Sequence, residues 1–178
     1  MKMLKKLLAV VLTGAMALTL FTACGSNAVR DKDIADALNN IVKLNDSEVT
    51  FTPRAKEREM AQKLAALIES HSEDDSNSAE LSAKIQGILG IDQGGVNENN
   101  FVWVQNALTD KLGAEGQAFQ VMESLTDKGG AYNFSSLGSK EPADTRYMGT
   151  ALCKIPDQKD NLVTVRVIVV TAKAVDKK

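Results

Sequence analysis

The stretches RYMGTALCKI (146–155) and LVTVRVIVVTA (162–172) decide the fold. In the second, Val163, Val165, Val167 and Val169 fall on one side of an extended chain, and Leu162, Thr164, Arg166, Ile168 and Val170 on the other. A strand that is apolar on both sides must be covered on both sides, which places it inside a sheet rather than at its rim. The six intervening residues, Pro156 to Asn161, are polar and of hairpin length, so the two stretches are expected to pair as an antiparallel C-terminal hairpin.

Upstream of the hairpin the texture is helical. Residues 28–44 place Ile34, Leu38, Ile41 and Val42 on one face of a first helix. Val49 and Phe51 give Ser47 to Phe51 strand character. Thr52-Pro53 then reads as a hydroxyl cap with proline at the first helical position. Met60, Leu64, Leu67 and Ile68 make the stripe of a second helix ending near Ser70. His71 to Ser78 is a polar, acidic loop, and Asn77 with Glu80 forms the pattern of a capping box. A third helix carrying Leu81, Ile85, Ile88 and Leu89 closes at Gly90. Residues 91–100 read as a loop. For Phe101 to Leu112 strand alternation and helical spacing compete, and Phe101, Val104 and Leu108 favour a helix. A further helix, Ala114 to Lys128, carries Ala118, Val121, Met122 and Leu125 and stops at Gly129-Gly130, with a short strand expected at Tyr132 to Phe134. The class is α+β: helices packed on a small antiparallel sheet with a C-terminal β-hairpin, the helices lying on both faces as an α-β-α sandwich.

The N-terminus addresses the chain. Lys2, Lys5 and Lys6 precede the apolar run Leu7 to Phe21, and small residues lead into Cys24. A basic segment, an apolar segment and small residues before a cut site are the three parts of a secretory signal, and the run is shorter than the roughly 20 residues a membrane span needs. A cysteine directly after Thr22-Ala23 resembles a bacterial lipobox, with Phe21 where leucine is usual. Residues 1–23 are therefore expected to be a lipoprotein signal peptide, 24–27 the lipidated Cys24 and a short spacer, and 28–178 a single extracytoplasmic domain held at the cell membrane. Signal cleavage without lipid, near Ala23 or Ser26, is the plainer alternative.

Composition narrows function by exclusion. The 178-residue chain has a formal charge of −2, and loss of the leader removes three lysines and no acid, giving −5 over 155 residues. An acidic domain offers no footprint for nucleic acid. The seven aromatic residues beyond the leader are scattered and make no stacking platform. With Cys24 acylated, Cys153 is the remaining thiol, so no intrachain disulfide forms, and Cys153 reads as a small buried hydrophobe. His71 is the single histidine, which rules out a His-x-x-x-His zinc site, and the sequence holds no Gly-x-Ser-x-Gly elbow, phosphate loop or Rossmann fingerprint. No cofactor or metal is expected. At this size the two closing lobes of a solute-capture protein do not fit.

The order of elements resembles a known family. Thr52-Pro53 leading into a Met/Leu/Ala helix that ends at His71, a loop with Glu98-Asn99, the helix around Phe119 to Leu125, and Tyr147-Met148-Gly149-Thr150-Ala151 opening the terminal hairpin are together similar to the bacterial branch of the CAP superfamily (cysteine-rich secretory, antigen 5 and pathogenesis-related 1 proteins) over roughly residues 34 to 172. The resemblance implies an α-β-α sandwich outside the cell and a cleft of two histidines and two acids, sometimes with a metal. On that basis His71 stands for the first histidine, and Glu98 and Glu123 for the acids. The second histidine has no counterpart in Lys128 to Phe134, so the implied cleft is degenerate. Each residue also has a structural reading: His71 favoured by the dipole at a helix C-terminus, Glu98 as a cap, Glu123 as a surface acid.

Two functional expectations follow. The first is a membrane-anchored surface lipoprotein whose domain binds or scaffolds, without catalysis, an envelope protein partner. The second is a CAP-type hydrolase or metal-binding domain using His71, Glu98 and Glu123.

Overall fold

A computed structural model describes residues 29–45, 47–70, 78–91, 96–97, 100–109, 112–126, 138–156 and 161–177. Four helices are described: α1 (Asp31–Lys43), α2 (Ala55–Ser70), α3 (Ser78–Leu89) and α4 (Ala114–Thr126). The strands are β1 (Thr50–Pro53), β2 (Val96–Asn97), β3 (Asn100–Thr109), β4 (Lys140–Pro156) and β5 (Leu162–Asp176). They form one sheet in the order β1-β4-β5-β3-β2. The strand that is apolar on both sides, β5, thus lies at the centre.

The two sides of β5 feed two cores. Ile168, Val170 and Ala172 join Met148 of β4, Phe101 and Trp103 of β3, Phe51 of β1, and Ile34, Leu38 and Val42 of α1, with Ala118 and Val121 of α4 closing the layer. On the opposite face Val165, Val167 and Val169 meet Cys153, Val102 and Val104, covered by Ala61, Leu64 and Ala65 of α2 and by Leu89 at the end of α3. The protein is therefore α+β with a helix pair on each face and a C-terminal hairpin. Each large side chain fully withdrawn from water, Phe101 and Trp103 among them, stabilises this arrangement by about 1.5–3 kcal/mol.

Four expectations need correction. The sheet is mixed, because β1 pairs parallel to β4, from Thr50 opposite Thr145 to Pro53 opposite Met148. Pro53 is the last residue of that strand rather than the first of a helix: the Arg54 amide extends the pairing by donating to the Met148 carbonyl at 2.9 Å, and α2 begins at Ala55. Residues 100–109 form a strand, not the start of a helix. Gln105 faces Ile168 and Leu108 faces Arg166, three steps on β3 against two on β5, so the strand carries a bulge with one extra residue. The helix-like spacing of Phe101 and Val104 precedes the bulge and arises because the strand is buried on both sides, Phe101 in one core and Val104 in the other. The segment read as a loop, 91–100, also contains the short strand β2.

Other expectations stand: a helix over Asp31–Lys43, α2 to Ser70, α3 closing at Gly90 with a φ of 64°, and both hairpin strands. The hairpin is longer than expected, running from Lys140 opposite Asp176 to Pro156 opposite Leu162. Gly129-Gly130 and Tyr132 to Phe134 lie outside the described residues.

The β1 rim is closed by a side chain. Asn39 of α1 donates to the Phe51 carbonyl at 2.9 Å and accepts from the Phe51 amide at 2.7 Å, replacing both hydrogen bonds of a neighbouring strand. Farther along β4, Glu69 of α2 accepts from the Lys154 amide at 2.8 Å. Exposed strand edges recruit other chains; here one helix on each side occupies part of the edge.

Candidate functional site

The described charged residues that come together inside the fold lie where α1 and α2 begin. Gly149 of β4 makes this possible. A Cβ built there would stand 2.0 Å from the Arg58 amide nitrogen and 2.3 Å from the Glu57 carbonyl carbon, so the first turns of α2 rest on bare strand backbone. With α2 that close, consecutive residues diverge: Glu57 points onto the sheet and Arg58 reaches past β4 to α1.

Glu57 is fully buried. It accepts hydrogen bonds from Arg54 Nε at 2.6 Å, from Arg54 Nη2, and from Thr171 Oγ1 at 2.7 Å. The Arg54 guanidinium also lies over the Tyr147 ring, 3.8 Å from its centre. Burial by itself pushes the Glu57 carboxyl up, but the hydrogen bonds from Arg54 and Thr171 and the arginine charge outweigh it and hold the group below the usual carboxylate range. The same pair raises Arg54, chiefly through its hydrogen bond to Glu57.

The second cluster is a relay. Arg58 Nε donates to Asp31 Oδ2 at 2.7 Å and Thr150 Oγ1 to Asp31 Oδ1 at 2.6 Å. Arg166 Nη1 donates to Thr150 Oγ1 at 2.9 Å, and Nη2 to the Val29 carbonyl at 3.0 Å. Asp31 opens α1, where a carboxylate is favoured by the helix dipole. The Arg30 amide, just before it, donates to Asp33 at 2.8 Å. The relay therefore pins the first residues of the described fold to β4, β5 and α2 at once.

Both buried carboxylates are engaged by arginines and threonines, so the arrangement is suited to holding elements together rather than to accepting a substrate proton. Among the described residues no group of three or more His, Cys, Asp or Glu is placed to hold a metal. Cys153 is buried beside the α2 layer, and burial, with the nearby Glu69 charge, raises its thiol.

Of the acids and histidine expected from the family resemblance, Glu123 is described and lies exposed on α4. His71, Glu98 and Cys24 lie outside the described residues. The residue before His71, Ser70, ends α2, and α2 and α4 cover opposite faces of the sheet. The Asp31–Arg58 and Arg54–Glu57 clusters were not anticipated. The visible mark of the first is Arg166, a charge set among valines in a central strand, which must find partners; that the partners are Thr150 and the Val29 carbonyl depends on register.

Comparison with known proteins finds no matching family model, no matching curated protein and no matching solved structure.

Proposed function

We propose that the chain is a surface lipoprotein, anchored through acyl chains on Cys24 to the extracytoplasmic face of the cell membrane, and that its domain binds or scaffolds an envelope protein without catalysis. The observation that carries this reading is the clamp on Val29. Arg166 and the Asp31 relay fix the first described residues, Val29 lying five residues after Cys24, so a lipid there would hold this part of the domain by a short stretch of chain. The engaged state of both buried carboxylates supports a binding rather than a catalytic role. No helix among the described residues is long and apolar enough to cross a membrane, so attachment in this reading comes from the lipid. Two acyl chains give lasting attachment where one gives only marginal binding.

The test is the amino terminus of the native protein. Mass spectrometry is expected to find diacylglycerol on Cys24, and globomycin to accumulate the precursor. Cys24→Ala is expected to move the protein out of the membrane fraction. An unmodified terminus at another residue overturns the reading. A pull-down from envelope fractions with the lipidated protein then identifies the partner.

The helix-sheet-helix layering favours one second reading, a CAP-type hydrolase or metal-binding domain with a degenerate cleft of His71, Glu98 and Glu123. Zinc or nickel titration compared with His71→Ala tests it, and identical titrations overturn it.

A further inference from the structure

Among the described residues, cover on the side of the β4–β5 hairpin facing α1 and α4 reaches only to Thr150 and Arg166, where α1 begins at Asp31. Beyond that level the same side carries Leu152, Lys154 and Pro156 of β4 and Leu162 and Thr164 of β5, paired in register. Leu152 is 40% and Leu162 70% exposed, although both belong to the strands that build the core. The other side of the same segment is treated differently: Cys153 and Val165 are buried, and Ile155 and Val163 pack against the α2 layer. The tip is thus finished on one side and, among the described residues, uncovered on the other, where Leu152, Pro156 and Leu162 stand with Lys154 and Thr164.

Val29, the first described residue, lies at this side. Arg166, which opposes Leu152 in the hairpin register, holds the Val29 carbonyl. Five residues separate Val29 from Cys24 and span at most ~18 Å. Leu162 lies four strand residues from Arg166, or ~13 Å. An anchor at Cys24 therefore reaches no farther from Val29 than the neighbourhood of the hairpin tip. α1 runs the other way: its Asn39 meets Phe51, which pairs with Arg146, and Leu44, 77% exposed, lies past its far end.

Resting on the anchor reading above, we infer that the bare side of the hairpin tip, Leu152, Pro156 and Leu162, is the bilayer-contacting surface of the domain, laying two leucines into the lipid interface beside the acylated Cys24. A short tether restricts which surface meets the membrane, and here that surface carries two exposed leucines, Leu152 and Leu162. Shallow apolar contact of this kind reaches about 5–10 Å into the headgroup boundary. The domain then stands with the hairpin tip down and the far end of α1 and β1 outward, which fixes the face available to an envelope partner.

Mature lipidated protein labelled with an environment-sensitive fluorophore at Leu162→Cys, Leu152→Cys or Leu44→Cys, in vesicles of phosphatidylethanolamine and phosphatidylglycerol containing spin-labelled lipid, tests this. Cys153 stays in place, since it is buried. The labels at 162 and 152 are expected to be quenched by the lipid several-fold more than the label at 44, and water-borne iodide is expected to show the reverse order. If the protein floats with the vesicles but all three labels quench alike, the anchor stands and this inference falls. Shielding of 162 and 152 from both quenchers also overturns it, because some other surface, the tether itself or a second copy, then covers the patch. If the unlabelled protein fails to float, the anchor reading fails and takes the inference with it.

Discussion

The two faces of the sheet are finished to different extents. Among the described residues, apolar cover on the α2–α3 face continues along the hairpin to Ile155 and Val163; on the α1–α4 face it stops where Asp31 meets Thr150. Strand composition accounts for part of this difference, since the barer side carries Lys154 and Thr164 beside its apolar groups. The larger difference is where the covering helix starts. α2 is seated deep by contact with Gly149, whereas α1 is halted at the Arg166 relay. A bare apolar patch can therefore be made by a helix N-terminus as readily as by a change of strand composition.

The largest expected effect comes from disturbing the tighter face. Gly149→Ala drives a methyl into α2 backbone and is expected to cost ~3 kcal/mol, read as a fall in the urea midpoint. A midpoint unchanged by this substitution would mean that α2 is not seated on β4. Glu57→Gln, on the same face, removes the charge that Arg54 and Thr171 satisfy and is expected to cost ~2 kcal/mol at neutral pH.

The sign of the pH dependence follows from the lowered carboxyl. A group more acidic when folded contributes its full stabilisation above its unfolded pKa and loses it as the pH falls through the folded one. Urea midpoints of the wild type are thus expected to fall on acidification through and below the usual carboxylate range. In Glu57→Gln that fall should be smaller, and parallel curves for the two proteins would refute the assignment.

On the looser face, Asn39→Ala leaves the Phe51 amide and carbonyl without their partner and is expected to cost ~1.5 kcal/mol. Hydrogen exchange should quicken at Phe51 while the Val165–Val169 amides stay protected. The smallest effect is expected at the bare patch: Leu162→Ser should change stability by no more than ~0.5 kcal/mol. A larger loss in thermal unfolding would show that the residue is covered in the folded protein and would erase the asymmetry between faces.

Legibility followed the range of the interaction. The stripe through Leu64 and Leu67, the glycine stop at Gly90 and the two-sided apolarity of 162–172 are local patterns, and the elements they predict are present. Phe101 to Thr109 misled because the strand is buried on both faces, so that Phe101 and Val104 serve opposite cores, and that burial is defined by helices and a partner strand distant in sequence. Arg54, Glu57 and Arg58 looked like ordinary charges on the first turn of a helix. Only the fold shows that one of them is withdrawn from water and another ties two helix starts together. The expected trio of His71, Glu98 and Glu123 was drawn from element order, and of these only Glu123, exposed on α4, has a described place.

The sequence by itself determined the α+β class, the central position of β5 and the positions of the helical stripes, because alternation and helical spacing act within a few residues of the chain. Tertiary structure alone decided the parallel pairing of β1, the seat of α2 on Gly149, the partners of Asp31, Glu57 and Arg166, and the bare side of the hairpin tip. Each of these depends on which distant backbone comes within hydrogen-bond or contact distance, and no local periodicity encodes that distance.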